Sequence, residues 1–291
     1  MRNRTPLLKA KLNALCDRYD TSLGLALDPL TIPLTYTEPL DRELVAFVAA
    51  HLAYGRVEPM LRAIQGVLKP MGPEPVAWIR QHTAPELRRI LEQSLSAWSW
   101  RFHTGSDMAA WILAWKRLDL ESGTGLEPHL LPTPGRNADQ ALSALVQRLR
   151  RECLPLSYGL RFSLPDPLEG AACKRWRMFL RWMVRESWPD LGLWKHYPSD
   201  QLVIPLDTHV ARVSRFIGLS DRATPDGKMA LEITESLRQL DPHDPLRYDF
   251  ALSHLGILGD CPGVRHRSTC AACPLFTVCH AGAKSAVRIR H

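Results

Sequence analysis

Apolar residues recur at three- and four-residue spacing through most of this chain, and alternating strand patterns are scarce. Over residues 41–64 they fall at Leu44, Val45, Phe47, Val48, Leu52 and, beyond Pro59, Leu61 and Ile64, the spacing of one buried helix followed by another. The same period returns over residues 84–98, 107–118, 138–153, 171–186, 208–218 and 228–240. Loops punctuate them, such as residues 121–136 with three Gly and three Pro and residues 163–170 with two Pro. An all-α protein is expected. At 291 residues the chain can bury one large core or two moderate ones, and 45% hydrophobic against 23% charged residues excludes wholesale disorder. No uncharged apolar run approaches the roughly 18 residues that span a bilayer. Residues 1–12 lack the apolar centre of a secretion signal, so a cytoplasmic protein with reduced thiols is expected.

Four of the seven cysteines, Cys261, Cys270, Cys273 and Cys279, fall within nineteen residues, separated by eight, two and five positions. A Cys-x-x-Cys turn places two thiolates on one centre and the flanking pair completes a four-sulfur shell, for zinc or for an iron-sulfur cluster. From Cys261 to the last residue there is no Asp or Glu, while Arg265, Arg267, Lys284, Arg288 and Arg290 are all present. With a net charge of +7, such a loop suits a phosphate backbone. Cys16, Cys153 and Cys173 are isolated, as buried structural cysteines are.

Residues 173–185 read CKRWRMFLRWMVR. Wound as a helix, Trp176, Phe179, Leu180 and Met183 share one face, and Lys174, Arg177, Arg181 and Arg185 share the opposite one. The expectation is that one side packs and the other, with Arg175, meets anions. Downstream, the apolar run Leu202 to Leu206 ends in Asp207, followed by Val210, Val213 and Ile217 at helical spacing. Asp207 reads as an N-cap carboxylate, and His209 as a structural histidine in the first turn.

The segment VIPLDTHVARV, residues 203–213, resembles the V-D-T-H-V-x-R-V segment of the helix-hairpin-helix DNA glycosylase superfamily, the endonuclease III-like proteins. Residues 248–261, YDFALSHLGILGDC, resemble that family's helix into its cluster loop, and CAACPLFTVC, residues 270–279, keeps the loop's last two spacings. The family's hairpin L-P-G-V-G-x-K is answered by LEGAACK, residues 168–174, with Gly170 matched, the second glycine replaced by Ala172, and Lys174 on the lysine position. Residues 188–199 look like an insertion, and the first cysteine interval is longer by two. These departures place the chain on a divergent branch.

The resemblance implies a two-domain fold with a cleft between a helical barrel domain, residues 41–204, carrying the hairpin and the lysine helix, and a second helical domain, residues 1–40 plus 205–291, carrying the aspartate and a [4Fe-4S] loop. It implies a monomeric DNA-repair glycosylase with AP lyase activity, associated with the nucleoid and acting on double-stranded DNA that contains a damaged base. Lys174 would be the nucleophile and Asp207 the electrostatic and acid-base residue. Gly170, Arg175, Arg177, Arg181, Arg265 and Arg267 would contact DNA, and Cys261, Cys270, Cys273 and Cys279 would ligate the cluster, zinc being the alternative. Tyr54, Trp98 and Trp100 are candidates to stack on an extruded base. The competing reading is a non-catalytic iron-sulfur or zinc DNA-binding protein. Residues 65–165 match nothing in the family, so the damaged base recognised is not legible.

Overall fold

The computed structural model describes residues 5–19 and 22–281; Lys284, Arg288 and Arg290 lie outside them. The described chain is mostly helical. In order it forms α1 (Thr5–Tyr19), α2 (Ser22–Leu25), α3 (Pro39–Leu52), α4 (Val57–Leu68), α5 (Pro75–Gln81) and α6 (Ala84–Ser94). A hairpin of two-residue strands, β1 (Ser99–Trp100) and β2 (His103–Thr104), precedes α7 (Gly105–Ser122), α8 (Glu127–Leu130), α9 (Ala138–Glu152) and α10 (Tyr158–Ser163). Then come α11 (Lys174–Val184), α12 (Thr208–Phe216), α13 (Gly227–Arg238), α14 (Asp249–Ile257) and α15 (Arg267–Ala271). Among the described residues no helix is long and apolar enough to cross a membrane.

Local chemistry sets these boundaries. Capping boxes start α6 at Thr83 with Glu86, α7 at Thr104 with Asp107, and α9 at Asn137 with Gln140. Asp207 and Asp226 accept from the amides of Val210 and Met229 to start α12 and α13. The break expected at Pro59 falls instead at residues 53–56. Pro59 is the third residue of α4, where a missing amide hydrogen costs nothing.

The chain divides into two compact units. The first comprises the described residues of Met1–Gly24 and Leu202–His291, together with Ala172–Arg177. Its core joins Leu12, Leu15 and Tyr19 of α1 to Val210 and Val213 of α12, Ile233 of α13 and Leu252 of α14. The helices α12 and α14 approach so closely that a Cβ added at Gly256 would lie 2.5 Å from the His209 side chain.

The second unit comprises Leu25–Ala171 and Met178–Gln201. In its core Phe47 stacks on Trp111 at 4.9 Å, and Phe179 packs edge-on against Trp194 at 5.5 Å. Trp194 and Tyr197 are buried, so the stretch resembling an insertion is built into this core. Trp194 Nε1 and the Leu126 amide donate to the Glu43 carboxylate at 2.7 and 2.8 Å. Burial nevertheless pushes the Glu43 pKa up to about 7.

Candidate active site and cysteine centre

Lys174 is the first residue of α11, and the left-handed backbone at Cys173, φ +50°, delivers the chain into that helix. A non-glycine residue held there stores strain, which proteins tolerate where surroundings fix it. Asp207 sits at the other side of the pair, one oxygen committed to the Val210 amide at 2.8 Å and the other 3.4 Å from Lys174 Nζ. Capping therefore orients the carboxylate toward the amine. The Lys174 side chain remains 38% exposed and Asp207 14%, so the amine is accessible while its partner is largely shielded.

The hairpin before Lys174 is anchored in the second unit. The buried Asp166 accepts from Leu168 N, Ser143 Oγ and Gln147 Nε2. Burial works against its charge, but these hydrogen bonds outweigh it and hold its pKa below the usual carboxylate range. Gly170 is exposed with φ +87°, and the space where a Cβ would stand is open. Only a residue at ease in that conformation suits the turn.

The basic face expected on α11 does not meet solvent. From Arg175 to Arg185 every residue is buried, and Lys174 alone in this helix keeps a partly exposed side chain. Arg177 Nε donates to Ala172 O at 3.0 Å. Arg181 Nε donates to Asp190 at 3.1 Å, and Arg185 pairs with the same buried carboxylate. The reading of Arg175, Arg177 and Arg181 as an open anion-binding face is thereby corrected: a cation too costly to bury alone is buried here with compensating partners. Arg265 and Arg267 are exposed, the former with its guanidinium 4.7 Å from the Phe276 ring centre. His209 packs on Gly256.

Cys261, Cys270, Cys273 and Cys279 all line one apolar cavity with Val213 and Leu275. Burial, followed by the proximity of the other thiols, raises the Cys273 pKa, and burial likewise raises that of Cys279. Among the described residues no three or more His, Cys, Asp or Glu side chains are grouped as for a single metal ion. The His266 amide donates to Cys270 Sγ at 3.3 Å. This loop is held by Arg212, the arginine of the VIPLDTHVARV segment, which donates to Cys261 O at 3.2 Å, and by two residues outside every motif, Arg18, which donates to Ala272 O at 3.1 Å, and Tyr19, whose Oη donates to Asp260. The signal for the α1 clamp was faint, because nothing in a lone Arg-Tyr pair points across the sequence to the loop.

A family model described as "Protein of unknown function (DUF2400)" matches residues 28–258. The chain belongs to the DUF2400 family. The matched stretch of this DUF2400 chain contains Lys174 and Asp207 and ends before Cys261. No curated protein and no solved structure matched the chain.

Proposed function

We propose that this protein is a DNA-repair glycosylase with AP lyase activity on double-stranded DNA containing a damaged base, with Lys174 as nucleophile and Asp207 as its acid-base partner. The observation that carries the reading is the 3.4 Å approach of Lys174 Nζ to an aspartate whose other oxygen is fixed by a helix cap. A partly exposed amine beside a shielded carboxylate is the arrangement of a nucleophile with its base. With the damaged base turned out of the duplex, Asp207 takes a proton from the lysine, and the amine attacks the sugar's anomeric carbon. The N-glycosidic bond breaks as the C–N bond to lysine forms, and the base leaves with a proton. Ring opening gives the Schiff base; loss of a C2′ proton to the Asp207 carboxylate then forms the C2′–C3′ double bond as the C3′–O bond breaks and the 3′ phosphate leaves. Exposed Arg265 and Arg267 supply phosphate contacts, and Gly170 supplies a bare backbone at the hairpin.

The cysteine loop fits an iron-sulfur centre. What supports the reading is that all four thiols line one apolar cavity and that their spacing resembles the cluster loop of the helix-hairpin-helix glycosylases. Cys261, Cys270, Cys273 and Cys279 would hold it, and it would supply a cross-link that folds the loop carrying Arg265 and Arg267. A brown protein containing iron supports this reading; a colourless one containing zinc removes it.

The enzyme reading is tested by incubating the protein with an abasic duplex and with duplexes bearing oxidised or deaminated bases, adding borohydride, and resolving covalent adducts. Trapping by the wild type that vanishes in Lys174→Ala is expected. Absence of both trapping and base release across all these substrates would replace it with the non-catalytic DNA-binding protein.

A further inference from the structure

A second cluster, in the Leu25–Ala171 portion of the other unit, has the chemistry of a nucleobase platform. The tip of the β1–β2 hairpin carries Arg101 and Phe102 outward, both exposed. Phe102 lies at the centre of a ring array: parallel to Tyr54 at 5.8 Å, and edge-on to Tyr158 at 5.1 Å and Phe162 at 4.9 Å. Tyr158 is nonetheless 68% exposed, leaving most of its ring open to a ligand. Arg101 holds a left-handed backbone, φ +51°, with its guanidinium 5.6 Å from the Phe102 ring centre and 5.9 Å from that of Tyr54. The two-residue turn itself requires that positive φ, and what it presents at its tip is a cation lying over aromatic faces.

The platform is rigid from beneath. Tyr54 Oη donates to Trp100 O at 3.1 Å and bonds His103 Nδ1 at 2.6 Å, and His103 Nε2 meets Ser163 Oγ at 2.7 Å. Trp100 Nε1 donates to Leu52 O at 3.2 Å. Gly159 lets α10 lie against the hairpin, since a Cβ there would stand 2.4 Å from Phe102 O. The three ring-bearing segments, residues 52–57, 98–106 and 157–163, contain Arg56, Arg101 and Arg161, all exposed; of the acids beside them, Glu58 pairs with Arg62 and the buried Asp107 caps α7.

We infer that this surface binds an unpaired nucleobase of a single DNA strand, stacking it on Phe102 and Tyr158 while Arg101 and its neighbouring arginines neutralise the flanking phosphates. The inference rests on the nucleic-acid reading proposed above and adds a second contact region to it. Rings alone would fit a protein partner equally well; rings flanked by three exposed arginines fit a polyanion that carries π faces.

The test is fluorescence anisotropy of the full-length protein with a labelled twelve-nucleotide thymidine strand and with the same backbone lacking bases. A stacked base is worth about 1–3 kcal/mol, so the wild type should prefer the base-bearing strand about tenfold. Tyr158→Ala, at an exposed position that keeps the fold, should reduce the preference severalfold. Arg101→Gly, which relieves the backbone, should weaken both strands. Equal affinity of the wild type for both strands, or an unchanged preference in Tyr158→Ala, overturns the inference. If that happens while trapping through Lys174 persists, only the platform is lost; if trapping fails while the base preference persists, only the glycosylase reading is lost.

Discussion

Asp207 performs two tasks with two oxygens, and replacing it by asparagine separates them. In Asp207→Asn the side-chain oxygen still accepts from Val210 N, and asparagine caps helices about as well as aspartate. What disappears is the charge facing Lys174, whose side chain is 38% exposed, so the lost ion pair is worth at most about 1 kcal/mol. For a protein of this size that lowers Tm by about 3 °C or less. Asp207→Ala also loses the cap, adding about 1 kcal/mol and bringing the fall to about 6 °C. Catalysis should not follow that order. On the proposed glycosylase reading both variants lose the proton acceptor, so single-turnover base release should fall by about 10²- to 10⁴-fold in each. The paired assays are thermal unfolding by circular dichroism and quenched base release on the substrate that wild type accepts. An asparagine variant that releases base at the wild-type rate, or that melts as low as the alanine variant, would refute the division of labour.

Other consequences follow from the packing. Gly256→Ala forces a methyl group to within 2.5 Å of His209, so α12 and α14 must part; a loss of about 1–3 kcal/mol is expected in urea unfolding, and an unchanged midpoint would show that the approach is looser. Glu43 has a folded pKa raised from 4.5 to about 7, so the native state keeps a proton that the unfolded chain releases. The stability it contributes is complete below about 4.5 and is lost as pH rises to about 7, a decline on the order of 3 kcal/mol that Glu43→Gln should abolish in denaturation measured at pH 5 and pH 8. Asp190→Ala strands Arg181 and Arg185 in the interior and should cost about 3–5 kcal/mol. Arg265→Ala with Arg267→Ala should leave stability alone and reduce the salt dependence of duplex binding by about two units of slope, and an unchanged slope would remove these arginines from the phosphate contacts.

How far the sequence could be read depended on how local each feature is. Helical periodicity located α6, α7, α9, α11, α12 and α13 to within a few residues, because the apolar faces they bury repeat within one element. The pairing of Lys174 with Asp207 came from motif resemblance, and the geometry that makes it intelligible is a cap whose donor, Val210, is visible only once the chain is wound. The arginines of α11 depart from the helical-wheel expectation for a definite reason. A helical wheel of CKRWRMFLRWMVR divides cations from rings, yet the acid that accompanies Arg181 and Arg185 lies past the helix, at Asp190, where the chain has turned back. Strands of two residues are too short to alternate, so the Ser99–Thr104 hairpin and its presentation of Phe102 left no periodic trace.

The cysteine centre and the Lys174–Asp207 pair meet in a single element. Helix α12 begins at the Asp207 cap and, nine residues or about 13 Å long, carries Val213 and Phe216 into the wall of the cysteine cavity. Arg212 of the same helix bonds the Cys261 carbonyl, and Gly256 of α14 fits beneath His209. Whatever fixes the cysteine loop therefore fixes the tilt of α12 and with it the direction in which Asp207 points. A helix whose C-terminal half lines the cysteine cavity, whose Arg212 bonds the loop and whose first turn meets Gly256 has little freedom to swing its capped end away from the lysine. A bound cluster would on this geometry act by placing a carboxylate, and the chemistry proposed above would rest on Lys174 and Asp207.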